Sequence, residues 1–183
     1  MEAKKLSLPL TDEDIINLSA GDRVLLYGNV LAARDAAHKR LIECIENDEP
    51  LPINITGSII YYVGPTPARK GAVIGAAGPT TSGRMDKYTP QLIERGLKGM
   101  IGKGYRNEEV KSAIKEHTAV YFAAVGGSGA LLSQSIVEEK IVAYEELGPE
   151  AIRELTLDGF PVTVINDSEG LDLYEIGKEE YKK

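Results

Sequence analysis

Apolar runs alternate along the chain with amphipathic stretches, and glycine or proline marks most of the handovers between them. Arg23-Val24-Leu25-Leu26-Tyr27-Gly28 reads as a buried strand. The stretch from about Leu31 to Glu46 reads as a helix, with Ala33, Ala36, Ala37, Leu41, Ile42 and Ile45 on its apolar side. Ser58 to Val63 and Ala72 to Ala76 read as short strands bracketing a Pro/Gly turn. Thr89-Pro90 opens a helix, with Thr as its cap and Pro at the first helical position, ending near Gly96 to Gly99; Asn107 caps another through about Glu116. Thr118 to Val125 is a further buried strand that runs into Gly126-Gly127-Ser128-Gly129. A strand around Ile141 to Tyr144, a short helix opened by Pro149 and a strand from Val162 to Ile165 complete the pattern, before a charged tail that reads as loose. The alternation predicts one α/β domain over residues 1–183, core about 8–174, with sheets covered by helices. Ligands in such folds sit where strands end in glycine-rich loops.

Composition narrows the function classes. At 43% hydrophobic and 27% charged, the 183 residues describe an ordinary globular chain with a core of its own. Lys+Arg 21 against Asp+Glu 28 gives a net charge of -7, which disfavours a nucleic-acid surface because neutralising phosphates needs a basic stripe. The uncharged stretch from Ile53 to Ala68 carries Asn54, Gly57, Gly64, Pro65 and Pro67, so it is no membrane helix. Met1-Glu2-Ala3-Lys4-Lys5 is not followed by the apolar run of a secretory signal, which points to the cytoplasm. A single cysteine, Cys44, excludes an internal disulfide framework and a thiolate cage built by this chain alone. His38 and His117 are too few for a His-rich metal site, and no acidic motif suggests a hard cation.

Three stretches could carry chemistry. Arg34, His38, Leu41 and Ile45 share one helical stripe whose N-terminal half presents a cation and an imidazole near the positive end of the helix dipole, where an anion is favoured. The plainer alternative pairs Arg34 with Asp35 or another nearby carboxylate and makes His38 a satisfied core residue. Gly78-Pro79-Thr80-Thr81-Ser82-Gly83-Arg84-Met85-Asp86 packs three hydroxyls between glycines and ends on a guanidinium able to grip a carboxylate; its alternative is a polar surface turn. It lacks the Gly-Lys-Ser/Thr ending of a P-loop. Gly102-Lys103-Gly104 sets an ammonium between glycines that allow close approach, or is an exposed turn lysine. The Gly126 to Gly129 run lacks the full dinucleotide-binding pattern, and Cys44, on an amphipathic stretch with no activating neighbour, reads as core.

Taken in order, Ala33-Arg34-Asp35-Ala36-Ala37-His38, Gly64-Pro65-Thr66-Pro67, the loop from Gly78 to Asp86 and Gly102-Lys103-Gly104 resemble the β-subunit, or C-terminal region, of iron–sulfur hydro-lyases of the class I fumarase and L-tartrate dehydratase family. The resemblance runs from about Leu8 to Tyr174. It implies a single swivelling β/β/α domain and a reversible hydration of a small dicarboxylate. The [4Fe-4S] cluster would be carried by a separate cysteine-bearing α-subunit, which the lone Cys44 suits. By the same resemblance Arg34, Arg84 and Lys103 hold substrate carboxylates, Thr80 is the base with Thr81 as the fallback, and His38 has a secondary binding role. It leaves open a fumarate hydratase subunit, a tartrate dehydratase subunit, or a non-catalytic domain that binds an anion or a partner. A hetero-oligomer and little activity from the isolated chain are expected.

Overall fold

The computed structural model describes residues 2–182. Four strands run parallel, β2 (Arg23–Ala32), β3 (Ile59–Tyr61), β4 (Gly99–Gly102) and β5 (Val120–Ala123), each paired with the next. The long strand β7 (Ile152–Asn166) returns antiparallel to both β5 and β2 and so closes the sheet into a small barrel. β1 (Lys4–Ser7) extends the sheet in parallel beside the first half of β2, and β6 (Ile136–Ala143) forms an antiparallel pair with β7. The expected α/β class holds, with the sheet curled on itself.

Side-chain alternation sorts the residues into two apolar clusters. Ile59, Tyr61 and Val63 point into the barrel with Val24, Leu26, Phe122 and Phe160. Ile60 and Tyr62 point outward with Met100 and Tyr121, where the helices cover them. Those helices are α2 (Asp35–Glu46), α3 (Thr89–Glu94) and α4 (Glu108–Glu116), which contribute Leu41, Leu92 and Val110 among others. Two short helices, α1 (Asp12–Ile16) and α5 (Gly129–Leu132), supply Ile15 and Leu132 to the barrel cluster. Thr11 and Asp14 form a reciprocal capping box that starts α1.

Several expectations change for identifiable reasons. The helix expected from Leu31 begins at Asp35, because β2 continues to Ala32 and pairs there with Arg153. Ala72 to Ala76 is not a strand: β2 and β4 already occupy both edges of β3. That stretch instead clasps itself, with Thr66 N donating to Ala76 O at 3.1 Å and Ala76 N to Thr66 Oγ1 at 2.8 Å. Thr89 does not cap α3; it lies within the first turn, and its hydroxyl donates to Met85 O at 2.9 Å. Asn107 does cap α4, accepting from Val110 N at 2.9 Å. Pro149 lies inside an irregular 3-10 segment, Glu145–Glu150, and opens no helix. The tail carries α6 (Leu173–Glu180), capped by Asp172, which also pairs with Lys111 at 2.9 Å; Tyr174 packs on Tyr105. No helix among the described residues is long and apolar enough to cross a membrane.

Phe160 is sealed in the barrel and meets Tyr61 edge-on, ring centroids 5.3 Å apart. Phe160→Ala is expected to cost about 3–5 kcal/mol, read as a lower urea midpoint at unchanged slope.

Candidate functional site

Because β2 to β5 run parallel, their carboxyl ends share one rim, and the sequence continues from it through Arg34, Gly64, Lys103 and Gly126. The hydroxyl loop returns to this rim and is stitched to it by backbone bonds. Thr80 N donates to Tyr62 O at 2.8 Å, Lys103 N to Thr80 O at 3.3 Å and Ser82 N to Lys103 O at 2.9 Å, so that Thr81 lies beside Lys103 in a parallel bridge. Gly102 makes that approach possible, since a Cβ there would stand 1.9 Å from Ser82 Oγ. The Gly126 to Gly129 run is drawn in as well: Ala77 N donates to Gly129 O at 3.0 Å. Three stretches distant in sequence, carrying Arg34, Thr80 to Arg84, and Lys103, therefore lie along one rim.

Two of the three predicted cations already hold a carboxylate. Arg84 grips Asp35 with two bonds, Nε to Oδ1 at 3.0 Å and Nη2 to Oδ2, and leaves Nη1 3.5 Å from Thr80 Oγ1. Burial alone would raise the Asp35 carboxyl, but the Arg84 hydrogen bond and charge outweigh it and hold the group below its ordinary range. Arg34 does pair with a carboxylate, but not with Asp35: its Nη2 donates to Glu150 Oε1 at 2.5 Å. Glu150 Oε2 accepts from Ala36 N at 2.8 Å, so the anion that the start of α2 favours is supplied by the protein itself. The Arg34 guanidinium rests on the Gly64 backbone, where a Cβ would lie 2.6 Å from Cζ. Lys103 is exposed, and among the described residues it has no ion-pair partner; its stem lies over Gly126.

His38 lies beneath the rim, sealed from solvent, so it cannot reach an anion there directly. Its Nδ1 is 2.8 Å from Arg34 O; a carbonyl only accepts, so Nδ1 carries the hydrogen. Nε2 is buried without a partner among the described residues, and the ring meets Tyr62 edge-on at 5.3 Å. Burial pushes the imidazole down to about 4, which keeps it neutral. Its place in the site is to fix the backbone from which Arg34 projects.

The sequence reading missed the cluster under the hydroxyl loop. Arg106, buried, donates Nε to Asp86 Oδ1 at 2.7 Å and Nη2 to Thr89 Oγ1 at 2.9 Å, while Asn107 N donates to Asp86 Oδ2 at 2.7 Å. The guanidinium also lies 4.9 Å from the Tyr121 ring centre, and the Tyr121 hydroxyl is 2.9 Å from both Ser82 Oγ and Gly104 O. The middle of the loop and its C-terminal end are thus tied to the layer below. Asp86 at the end of the hydroxyl motif was the available hint; nothing in Tyr105-Arg106-Asn107 separates a buried arginine from an exposed one.

This chain's own residues do not fit an iron–sulfur cluster. Cys44 is half-buried on α2, its sulfur 3.6 Å from the Tyr144 hydroxyl, and among the described residues no group of three or more His, Cys, Asp or Glu could hold a metal ion. A separate cleft of about 450 Å³, lined by Leu8, Asn29, Asn54 and Glu154, offers a carboxylate and no cation, which is the wrong chemistry for an anion.

The family described as Fumarase C-terminus matches residues 2–177. "Fumarate hydratase class I, aerobic" of Escherichia coli K12 is 40% identical over 155 residues, covering 84% of this chain and 28% of the relative. "Fumarate hydratase 2" of Leishmania major is 38% identical over 156 residues, with the same coverage of 84% and 28%. "Putative L(+)-tartrate dehydratase subunit beta" of Methanocaldococcus jannaschii is 37% identical over 181 residues, covering 95% of this chain and 93% of the relative. The chain thus spans less than a third of those two fumarate hydratases and nearly all of the archaeal subunit.

Two outcomes follow from the buried groups. Arg106→Met leaves the Asp86 carboxylate without its cation and is expected to cost about 3–5 kcal/mol in chemical denaturation. His38 binds a proton in the unfolded chain near pH 6.5 but in the folded chain only near 4, so the unfolded state takes up more protons in that window. Stability is therefore full above pH 6.5 and falls as pH drops towards 4, by on the order of 3 kcal/mol. Urea midpoints measured across that range should show the slope, and His38→Asn, which retains a donor for Arg34 O, should flatten it.

Proposed function

The chain belongs to the fumarase C-terminus family, and from that premise we propose that it is the β-subunit of a two-subunit class I fumarate hydratase, interconverting fumarate and (S)-malate. The observation that carries this reading is the meeting of Thr80, Arg84, Arg34 and Lys103 on one open rim. A dicarboxylate must be held at fixed geometry while its carbon-bound proton is removed or added, and charge-assisted bonds from placed cations serve that end. Lys103 offers its whole ammonium to a substrate carboxylate, whereas Arg84, with Nε and Nη2 engaged, offers Nη1. Arg34 lies within the same row. Thr80 Oγ1, as the alkoxide, takes the carbon-bound proton of malate and becomes the hydroxyl while the substrate's own hydroxyl departs as water, and it returns that proton in the reverse direction. A hydroxyl is a weak base unless its alkoxide is stabilised, and the Arg84 Nη1 beside it favours that charge.

Thr81, Arg84 and Lys103 are exposed, as suits half of a site that a partner covers. In this reading a cysteine-bearing α-subunit supplies the [4Fe-4S] cluster, against which the barrel moves as a swivelling domain in a cytoplasmic hetero-oligomer. The cluster contributes Lewis-acid chemistry at the substrate oxygen when bound. A tartrate dehydratase subunit is the second reading, favoured by the near full-length match to the archaeal subunit of that name. The two differ in how the pocket receives one more hydroxyl.

The test is anaerobic hydro-lyase activity of the chain co-purified with its α partner on fumarate, malate and L-tartrate, with each chain alone as control. Turnover of fumarate and malate by the pair only supports the first reading, and preference for tartrate the second. No turnover by a stable, cluster-loaded complex would sink both. Lys103 is exposed and without an ion pair among the described residues, so Lys103→Met should fold normally and raise KM about 10–150-fold, the loss of one charge-assisted bond of roughly 1.5–3 kcal/mol.

A further inference from the structure

Arg84 stands on an exposed loop, and among the described residues its side chain has two partners, Asp35 and Thr80. A single-bonded surface pair would fix little, since exposed ion pairs are loose. Here both Asp35 oxygens are taken by the Nε and Nη2 of one planar guanidinium, so the direction of the third nitrogen is determined by the first two. That nitrogen is Nη1, and it faces Thr80 Oγ1 at 3.5 Å, a length that suits a contact which tightens with substrate bound. Asp35 opens α2, whose Ala37 and Leu41 are buried against the sheet, so a loop arginine takes its position from a packed helix.

We propose that Asp35 is a positioning residue for the proton transfer at Thr80, acting through Arg84. This rests on the reading of Thr80 as the base. The charged groups around the pair are Arg34 beside Asp35, Glu150 near Arg84 and Lys103 next to Thr80, with neutral His38 and the Arg106–Asp86 pair beneath. Glu150, Arg34, Asp35 and Arg84 form an alternating row of charges, in which Asp35 is the member that bonds Arg84.

The test uses the enzyme assembled with its α partner. Asp35→Asn turns one of the two acceptors into a donor facing a donor, so Arg84 is released. It should lower kcat about 10–100-fold, as small misplacements of reacting groups do, and raise KM as well, because the released Arg84 no longer presents Nη1 to the substrate carboxylate. The ascending limb of kcat against pH should move to higher pH, because the Thr80 alkoxide loses its neighbouring cation. Removing the Asp35 charge without moving Arg84 would shift that limb to lower pH, so the sign separates positioning from plain electrostatics. Asp35→Glu, one methylene longer, should lose roughly three- to ten-fold with the same sign of shift, and it carries the test if the Asn variant fails to assemble. In the full chain alone, the Arg84 Nε–H should give a slowly exchanging ¹⁵N resonance that vanishes in Asp35→Asn. Unchanged kcat, a loss confined to KM, or a limb moved to lower pH would overturn the proposal. Thr80→Ala separates the two failures: an inactive Thr80→Ala beside a normal Asp35→Asn removes only the positioning role, whereas an active Thr80→Ala removes the base and the proposal with it.

Discussion

The antiparallel return of β7 is the constraint on which the rest of the molecule depends. Its fifteen residues pair with β2 along nearly the whole length of that strand, and also with β5 and β6. Without it β2 to β5 would be an open parallel sheet with bare backbone at two edges, and edges of that kind invite pairing with other chains. With it, the carboxyl ends of four parallel strands are locked into one rim. Arg34 and Lys103 project from that rim, and the loop with Thr80 and Arg84 is stitched to it.

The rim is electrically restrained. Arg34 is paired with Glu150 and Arg84 with Asp35, which holds two long side chains in place, although Arg34 Nε is buried without a partner among the described residues. Below them the buried Arg106–Asp86 pair and the Tyr62, Tyr121 and Thr89 hydroxyls hold the hydroxyl loop from its inner side. Such a network costs more to break at one member than it contributes as a pair. Its role is to hold a loop of small residues, from Gly78 to Gly83, in one shape.

The strands and helices with clear periodicity were legible in the sequence, among them the starts of β2 and α4 and the cores of β3 and β5. Their closure was not, because it depends on β7, of which only Val162 to Ile165 stood out as an apolar run. Polar residues such as Arg153, Glu154 and Thr156 lie outside that run yet carry ladder bonds to β2. The motif residues were legible through their resemblance to a family, and the structure brings Thr80, Arg84, Arg34 and Lys103 together. Which carboxylates they meet was not, since Glu150 lies 116 residues from Arg34 and Asp35 lies 49 from Arg84. The sequence reads His38 either as a core residue or, through the family resemblance, as a secondary binding residue beside Arg34; it packs against Tyr62 and Tyr88, which no helical periodicity reveals.

The pairing of β2 with β7 also sets the order in which the chain can fold. Arg23 lies opposite Thr163 and Ala32 opposite Arg153, so each contact joins residues more than a hundred positions apart. Closing so long a loop costs entropy before any ladder bond repays it, which makes non-local β pairing slow. During synthesis the parallel strands and their helices emerge first and must wait, with the interior-facing Val24, Leu26 and Phe122 uncovered, until β7 leaves the ribosome. Until β7 emerges those apolar residues lack the strand that covers them, and it is in that interval that a chaperone has most to protect.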